Sequence, residues 1–169
     1  MLYVDLVPQS AWHENLRSLL QPVEWDAVRH EVYRRAAYRC QVCGGQGEKW
    51  PVEAHERWAF EASSSVQTLS AIEALCPACH EVTHFGLAQI RGRQREAFAH
   101  LMRVNGWSAQ QAQSHIDDAF AIWARRNARR WSLDARLVFG FAELSMVTRR
   151  KIESFARAAD LEREIANAR

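Results

Sequence analysis

Lysine is nearly missing from this chain: of its 22 basic residues only Lys49 and Lys151 are lysines, and the other 20 are arginines. Arginine is the better bidentate partner for phosphate, although a genomic base-composition bias produces the same excess. No stretch approaches the roughly 20 apolar residues that a membrane-spanning helix needs, which excludes a membrane protein of that kind. The N-terminus, MLYVDLVPQS, lacks a basic segment followed by an apolar one, so secretion is not expected and a cytoplasmic location is. Internal repeats and low-complexity tracts are lacking as well. What remains is 169 residues, 48% apolar and 25% charged, the profile of a soluble globular protein about one ordinary domain long. The net charge of +2 is unevenly spread: residues 1 to 84 hold 7 basic and 11 acidic side chains, residues 85 to 169 hold 15 and 9. The second half is a candidate polyanion-binding surface.

Hydrophobic spacing predicts an α+β, mainly helical chain. Residues 2 to 7 alternate as a short strand, and Ser10 can cap a short helix carrying Trp12, Leu16, Leu19 and Leu20. A helix is predicted from about Trp25 to Tyr38 because Val28, Val32 and Ala36 recur every four residues. Cys40 to Trp58 reads as a hairpin, 61 to 70 as a surface loop, and Cys76 opens a helix that stops near Gly86. Two further helices follow, one through Ala97, Leu101 and Val104 to Asn105-Gly106, one capped by Ser108 and Gln111. Trp131 to Phe139 alternates as a strand that can pair with residues 2 to 7 in a short terminal sheet, or with a second subunit. Residues 142 to 168 form a last charged helix. The domain reading is an N-terminal strand and helix (1 to 24), a zinc-bound module (25 to 86) and a helical basic region (87 to 169), packed as one compact unit.

Chemistry concentrates in the middle section. Cys40, Cys43, Cys76 and Cys79 form two C-x-x-C pairs separated by 32 residues. Without an export signal such pairs read as a metal site before they read as disulfides, with free thiols or a redox pair as the bland alternatives. Four thiolates suit tetrahedral zinc and leave no water position, so the ion is expected to be structural. Beside them lie Glu53, His55 and Glu56 on the predicted hairpin and His80 and His84 four apart on one face of the helix, where two imidazoles can share a divalent ion.

The run WDAVRHEVYRRAAYRCQVCG from Trp25, then PVEAHERW from Pro51, then ALCPACHEVTH from Ala74, resembles the zinc-bound HNH endonucleases of the treble-clef, or ββα-metal, type, phage and bacterial members in particular. The resemblance covers residues 25 to 86. It implies a zinc-stabilised hairpin and helix core, DNA as partner, His55 as general base, and His80 and His84 as ligands of a catalytic metal, Mg²⁺, Mn²⁺, Ni²⁺ or Zn²⁺. Two positions depart from the family pattern. Ala54 stands where the ligand before the base is usually Asp, Glu or His, and Ala71 stands where Asn is usual. Glu56 projects on the same strand face as Ala54 and is the expected substitute ligand, with Glu53 behind it. The alternative is a catalytically silent zinc module that binds nucleic acid or a protein.

Two arginine sets are candidate phosphate contacts: Arg91, Arg93 and Arg95 just after the zinc helix, and Arg125, Arg126, Arg129 and Arg130, spaced as one helical stripe. Each can equally be a solvated face, and the second set also complements a helix C-terminus. Trp50 and Trp58 bracket the proposed site, where they either pack the hairpin or stack on a base. Trp25, Trp123 and Trp131 read as core.

Overall fold

A computed structural model describes residues 1 to 168. The chain is α+β and mostly helical. In order it forms α1 (Leu16–Leu19), α2 (Pro22–Arg35), β1 (Glu53–Glu61), β2 (Val66–Leu75), α3 (Pro77–Thr83), α4 (Phe85–Ile90), α5 (Gln94–Asn105), α6 (Ala109–Asn127), β3 (Ser132–Asp134) and α7 (Met146–Asn167). No helix among the described residues is long and apolar enough to cross a membrane.

Local chemistry explains most of the boundaries. Pro22 occupies the first turn of α2, where its missing N–H costs nothing, and the Glu24 carboxylate accepts the Gln21 N–H at 2.8 Å. Ser108 and Gln111 cap α6 reciprocally as expected. Gly106, at φ 66°, closes α5 in the left-handed region that favours glycine.

The sheet differs from the expectation. β1 and β2 are antiparallel from Glu53↔Leu75 to Glu61↔Val66, so the hairpin spans 53 to 75, not 40 to 58. The serine-rich stretch read as a surface loop contains only the turn. From Val66 onward it is the second strand, and Val66, Gln67 and Leu69 are buried. Residues 40 to 52 form no strand: a turn at 41 to 43 is followed by bends and irregular chain. β3 adds parallel to β2 (Val66↔Ser132 to Thr68↔Asp134) and is only three residues long. It stops because the Asp134 carboxylate accepts from the Arg136 backbone N–H at 3.2 Å and binds its guanidinium, turning the chain away from the sheet.

Residues 2 to 7 form no strand and pair with nothing in the sheet. Their backbone groups bond to side chains and a helix end: Leu2 exchanges two hydrogen bonds with the Asn105 amide, the Val4 N–H donates to His115 Nε2 at 2.9 Å, and the Asp5 N–H donates to the Thr83 carbonyl at 3.0 Å. Alternation in that segment reports burial of Leu2 and Val4 against helices. Ser10 caps no α-helix either; it donates to the Arg129 carbonyl, and Asn15 caps α1.

Two cores flank the hairpin. Ala54, Trp58, Leu69, Ile72 and Ala74 pack with α1, α2, α7 and residues 133 to 144. Leu75, Cys76, Cys79 and Val82 pack with Leu2, Val4, α5 and α6. Because strand side chains alternate, sending Ala54 into the first core turns His55 towards α3.

Candidate metal centre

The four cysteines converge. One sulfur from each lies within 4.8 Å of the others, Cys40, Cys76 and Cys79 buried and Cys43 exposed. Cys76 is the N-cap of α3 and Cys79 sits in its first turn, while Cys40 and Cys43 flank a turn closed by the Gly44 N–H to the Cys40 carbonyl at 2.8 Å. Gly47 lets this turn lie against α3: a Cβ there would come within 2.2 Å of the Trp50 carbonyl oxygen and 2.6 Å of Pro77.

The thiols cannot all ionise unaided. The Cys79 thiol, hydrogen-bonded to Cys40, holds Cys40 down at about 4; the same bond pushes Cys79 up, and burial pushes Cys76 up to about 11. A cation would let all four serve as thiolates, so the donor set fits a structural metal ion such as zinc. Behind the cluster, His100 Nε2 lies 3.2 Å from Cys79 Sγ, and its Nδ1 lies 2.6 Å from the Arg103 guanidinium. Arginine only donates, so Nδ1 accepts and Nε2–H points at the sulfur. His100 was not foreseen, though a histidine between Ala97 and Leu101 on a buried stripe was its signal.

The second cluster draws on β1, on α3 and on the residue that ends α3. His55 on β1 faces His80 on α3 and His84 at the junction of α3 and α4, where the helix expected to run on to Gly86 breaks; the ring centroids of His80 and His84 lie 5.2 and 4.9 Å from His55 and 4.7 Å from each other. One nitrogen of each lies within 4.8 Å of the others, a spacing at which three imidazoles can hold one ion. His80 Nδ1 donates to Glu53 at 2.6 Å, which fixes the ring and leaves Nε2 as its ligand atom. His55 is buried and its Nε2 has no hydrogen-bond partner among the described residues. Burial holds all three rings below the ordinary histidine range, His80 and His84 at about 4, with neighbouring cations adding to the effect. Arg57 is one of those cations. It is 3% exposed, bound to Glu73 at 2.7 Å and stacked on Tyr3. At neutral pH the cluster therefore offers uncharged imidazoles with free lone pairs, the form that binds metal.

Glu56 does not join them. Its carboxylate accepts the Leu16 N–H at 3.2 Å and the Trp58 indole N–H at 3.1 Å, on the face that Ala54 shares, and burial pushes it up to about 7. The alternation that puts Glu56 beside Ala54 is what turns both away from His55. Glu53 is the carboxylate next to the cluster, one step removed from the ion position.

The arginines divide. Arg91 lines the cleft of about 1080 Å³ that opens in front of His55, His80 and His84, and Arg95 is exposed. Arg93 is paired with Glu81 at 2.5 Å. The second set is not a helical stripe, because α6 ends at Asn127 before Arg129 and Arg130. Arg126 packs over Phe60 and pairs with Asp5 at 3.3 Å, Arg129 binds the Ala62 carbonyl, and Arg125 and Arg130 are exposed. Trp58 and Trp131 are buried, whereas Trp50 is exposed.

No family model, curated protein or solved structure matches the chain.

Proposed function

We propose that the chain is a metal-dependent endonuclease of the HNH type that hydrolyses phosphodiester bonds of DNA, with zinc held by Cys40, Cys43, Cys76 and Cys79. One observation carries this reading: His55, His80 and His84 converge at metal-binding distance in an open cleft, and His80 is braced by Glu53. The order of a cysteine pair, a hairpin, and a second pair opening a helix supports the treble-clef description.

In this reading His80 and His84 hold the catalytic ion and His55 is the base. When bound, the ion supplies Lewis-acid stabilisation of charge on the phosphate and the leaving oxygen. His55 is kept neutral by burial and leaves Nε2 unpartnered, so it can take the proton of a water whose oxygen attacks phosphorus as the P–O bond to the leaving oxygen breaks. Glu53 holds His80 in the ligating tautomer throughout. A nicking assay with Mg²⁺, Mn²⁺ or Ni²⁺ is expected to show cleavage that falls by about 10²- to 10⁴-fold in His55→Ala. Cleavage unchanged in that variant overturns the reading.

The second reading, a silent zinc module that binds nucleic acid or a protein, is favoured by one feature: Ala54 offers no donor and Glu56 points away, so among the described residues no carboxylate stands in the ligand group. Absence of divalent-ion binding at the histidines decides for it.

A further inference from the structure

Glu53 and His80 form a wall shared by two depressions. One is the cleft in front of the imidazoles. The other, about 710 Å³, runs away from them along α2 and ends at Trp50. Its walls are side chains that neither cluster uses: Trp25, Tyr33, Tyr38 and Trp50, with Arg17 and Arg29 supplying charge. Among the described residues the one carboxylate on those walls is Glu53, already bound to His80.

The rings are presented, not packed away. Trp50 is 59% and Tyr38 48% exposed, and the Lys49 ammonium lies over the Trp50 ring, 5.5 Å from its centre. Tyr38 is held out by a strained turn: Ala37 and Tyr38 have φ of 49° and 56°, a region disfavoured for residues with side chains, and the Tyr38 N–H donates to the Tyr33 carbonyl at 2.8 Å to close it. The Arg17 guanidinium lies 5.2 Å from the Trp25 ring centre and has no carboxylate partner among the described residues, whereas Arg29 is tied to Asp26 at 2.7 Å. A trough with two exposed aromatic rings, Trp50 and Tyr38, and with the cations Arg17 and Lys49 beside its tryptophans matches a polyanion whose flat bases are free to stack. In a duplex those base faces are covered by their neighbours and cannot use the rings.

We infer that this trough binds an unpaired strand of DNA, stacking bases on Trp50 and Tyr38 and placing a phosphate on Arg17, so that the backbone runs inward to the His80 end of the histidine cluster. The proposal rests on the endonuclease reading only for where the strand leads; strand binding itself requires no catalytic ion. It moves the main contact surface from the arginine-rich second half of the chain to the N-terminal half.

The test uses the zinc-loaded full chain carrying His55→Ala, so that the probe survives. Binding of a labelled oligodeoxynucleotide, single-stranded or annealed to its complement, is followed by fluorescence anisotropy without added divalent ion. The single strand is expected to bind about tenfold or more tightly than the duplex, and Trp50→Ala with Tyr38→Ala to remove about tenfold or more of that affinity, while Trp50→Phe keeps most of it. Arg17→Gln is expected to flatten the salt dependence by about one phosphate contact. Equal binding of single strand and duplex, or single-strand binding untouched by the two alanine substitutions, overturns the proposal. The two failures are distinguishable: a parent protein that cleaves but ignores Trp50 and Tyr38 defeats the trough alone, and one that binds through them without cleaving defeats the endonuclease reading alone.

Discussion

The four-cysteine and three-histidine clusters share a hairpin and the start of one helix, yet they are opposites in construction. The sulfurs sit in a core with Leu75, Val82 and Leu101, and three of the four cysteines are buried. His55 is buried and His80 and His84 are half-buried, and all three line a cleft of about 1080 Å³. Each cluster has one partner behind it, His100 behind Cys79 and Glu53 behind His80. A closed set of four donors would exhaust the coordination of its ion and stabilise the fold, whereas an open pair of neutral donors, His80 and His84, would leave positions for a reacting group beside His55. The first turns of α3 thus contribute Cys76 and Cys79 to a candidate staple and His80 to a candidate reaction centre that His84 completes just beyond the helix end.

The largest expected effect breaks the pair at the staple. Cys79→Ser should lose the bound metal and, because that binding energy is folding energy, an amount of stability comparable to the ~5–15 kcal/mol of a whole domain. Elemental analysis is expected to find one tightly held zinc per chain in the parent and none in this variant, together with loss of helical circular dichroism. A stable, zinc-free variant would abolish the distinction between the two clusters. Next comes the reaction centre: His84→Ala should abolish binding of the second divalent ion, measured by calorimetry, while the cysteine-bound zinc and the thermal midpoint stay near those of the parent.

A third substitution lies far from both clusters and gauges ordinary fragility. Burial alone would raise the Glu24 carboxyl, but the N–H groups of Gln21 and Ser145 and the Thr148 hydroxyl outweigh it and hold it at about 2. A carboxyl lowered in the folded state contributes stability above its ordinary value of 4.5 and loses it as pH falls from there towards 2. Glu24→Gln should therefore cost about 2–3 kcal/mol at pH 7 and flatten the acid limb of the stability profile in denaturant titrations.

The sharpest comparison is a crossed one. His100→Phe should weaken retention of the cysteine-bound zinc by about 10- to 100-fold in a chelator competition and leave the histidine site alone, and Glu53→Gln should do the reverse. If either substitution disturbs both sites equally, the partners are not specific to their clusters. The smallest effect is at Glu56. Its hydrogen bonds to Leu16 and Trp58 are structural, so Glu56→Gln should leave metal-dependent cleavage unchanged and lower stability by only about 1 kcal/mol.

Several features were legible in the residues alone: the C-x-x-C pairs, the i, i+4 spacing of His80 and His84, and the caps at Ser108 and Gly106. Each is a local pattern whose geometry follows from a turn or a helix. The hairpin was misplaced by about a dozen residues because its turn, Ala62 to Ser65, looks like the rest of a polar stretch, and what makes Gln67 and Thr68 strand residues is pairing with Phe60 and Ala59. The strand read over residues 2 to 7 failed for a related reason, since period-two burial also arises when an irregular segment crosses helices and borrows hydrogen bonds from Asn105, His115 and Thr83.

The sequence by itself determined the components of two donor sets, because C-x-x-C turns and two histidines four apart at the end of one short helix are short-range geometry. Only the tertiary structure decided which neighbours complete them. His55 joins His80 and His84 because the hairpin register turns it towards α3, and the same alternation sends Glu56 to α1. His100 reaches Cys79 across 21 positions, and Trp50 comes to share a trough with Trp25 and Tyr38 through the folding of turns between them. Contacts of this kind depend on strand register and on the packing of whole elements, which no local window of residues encodes.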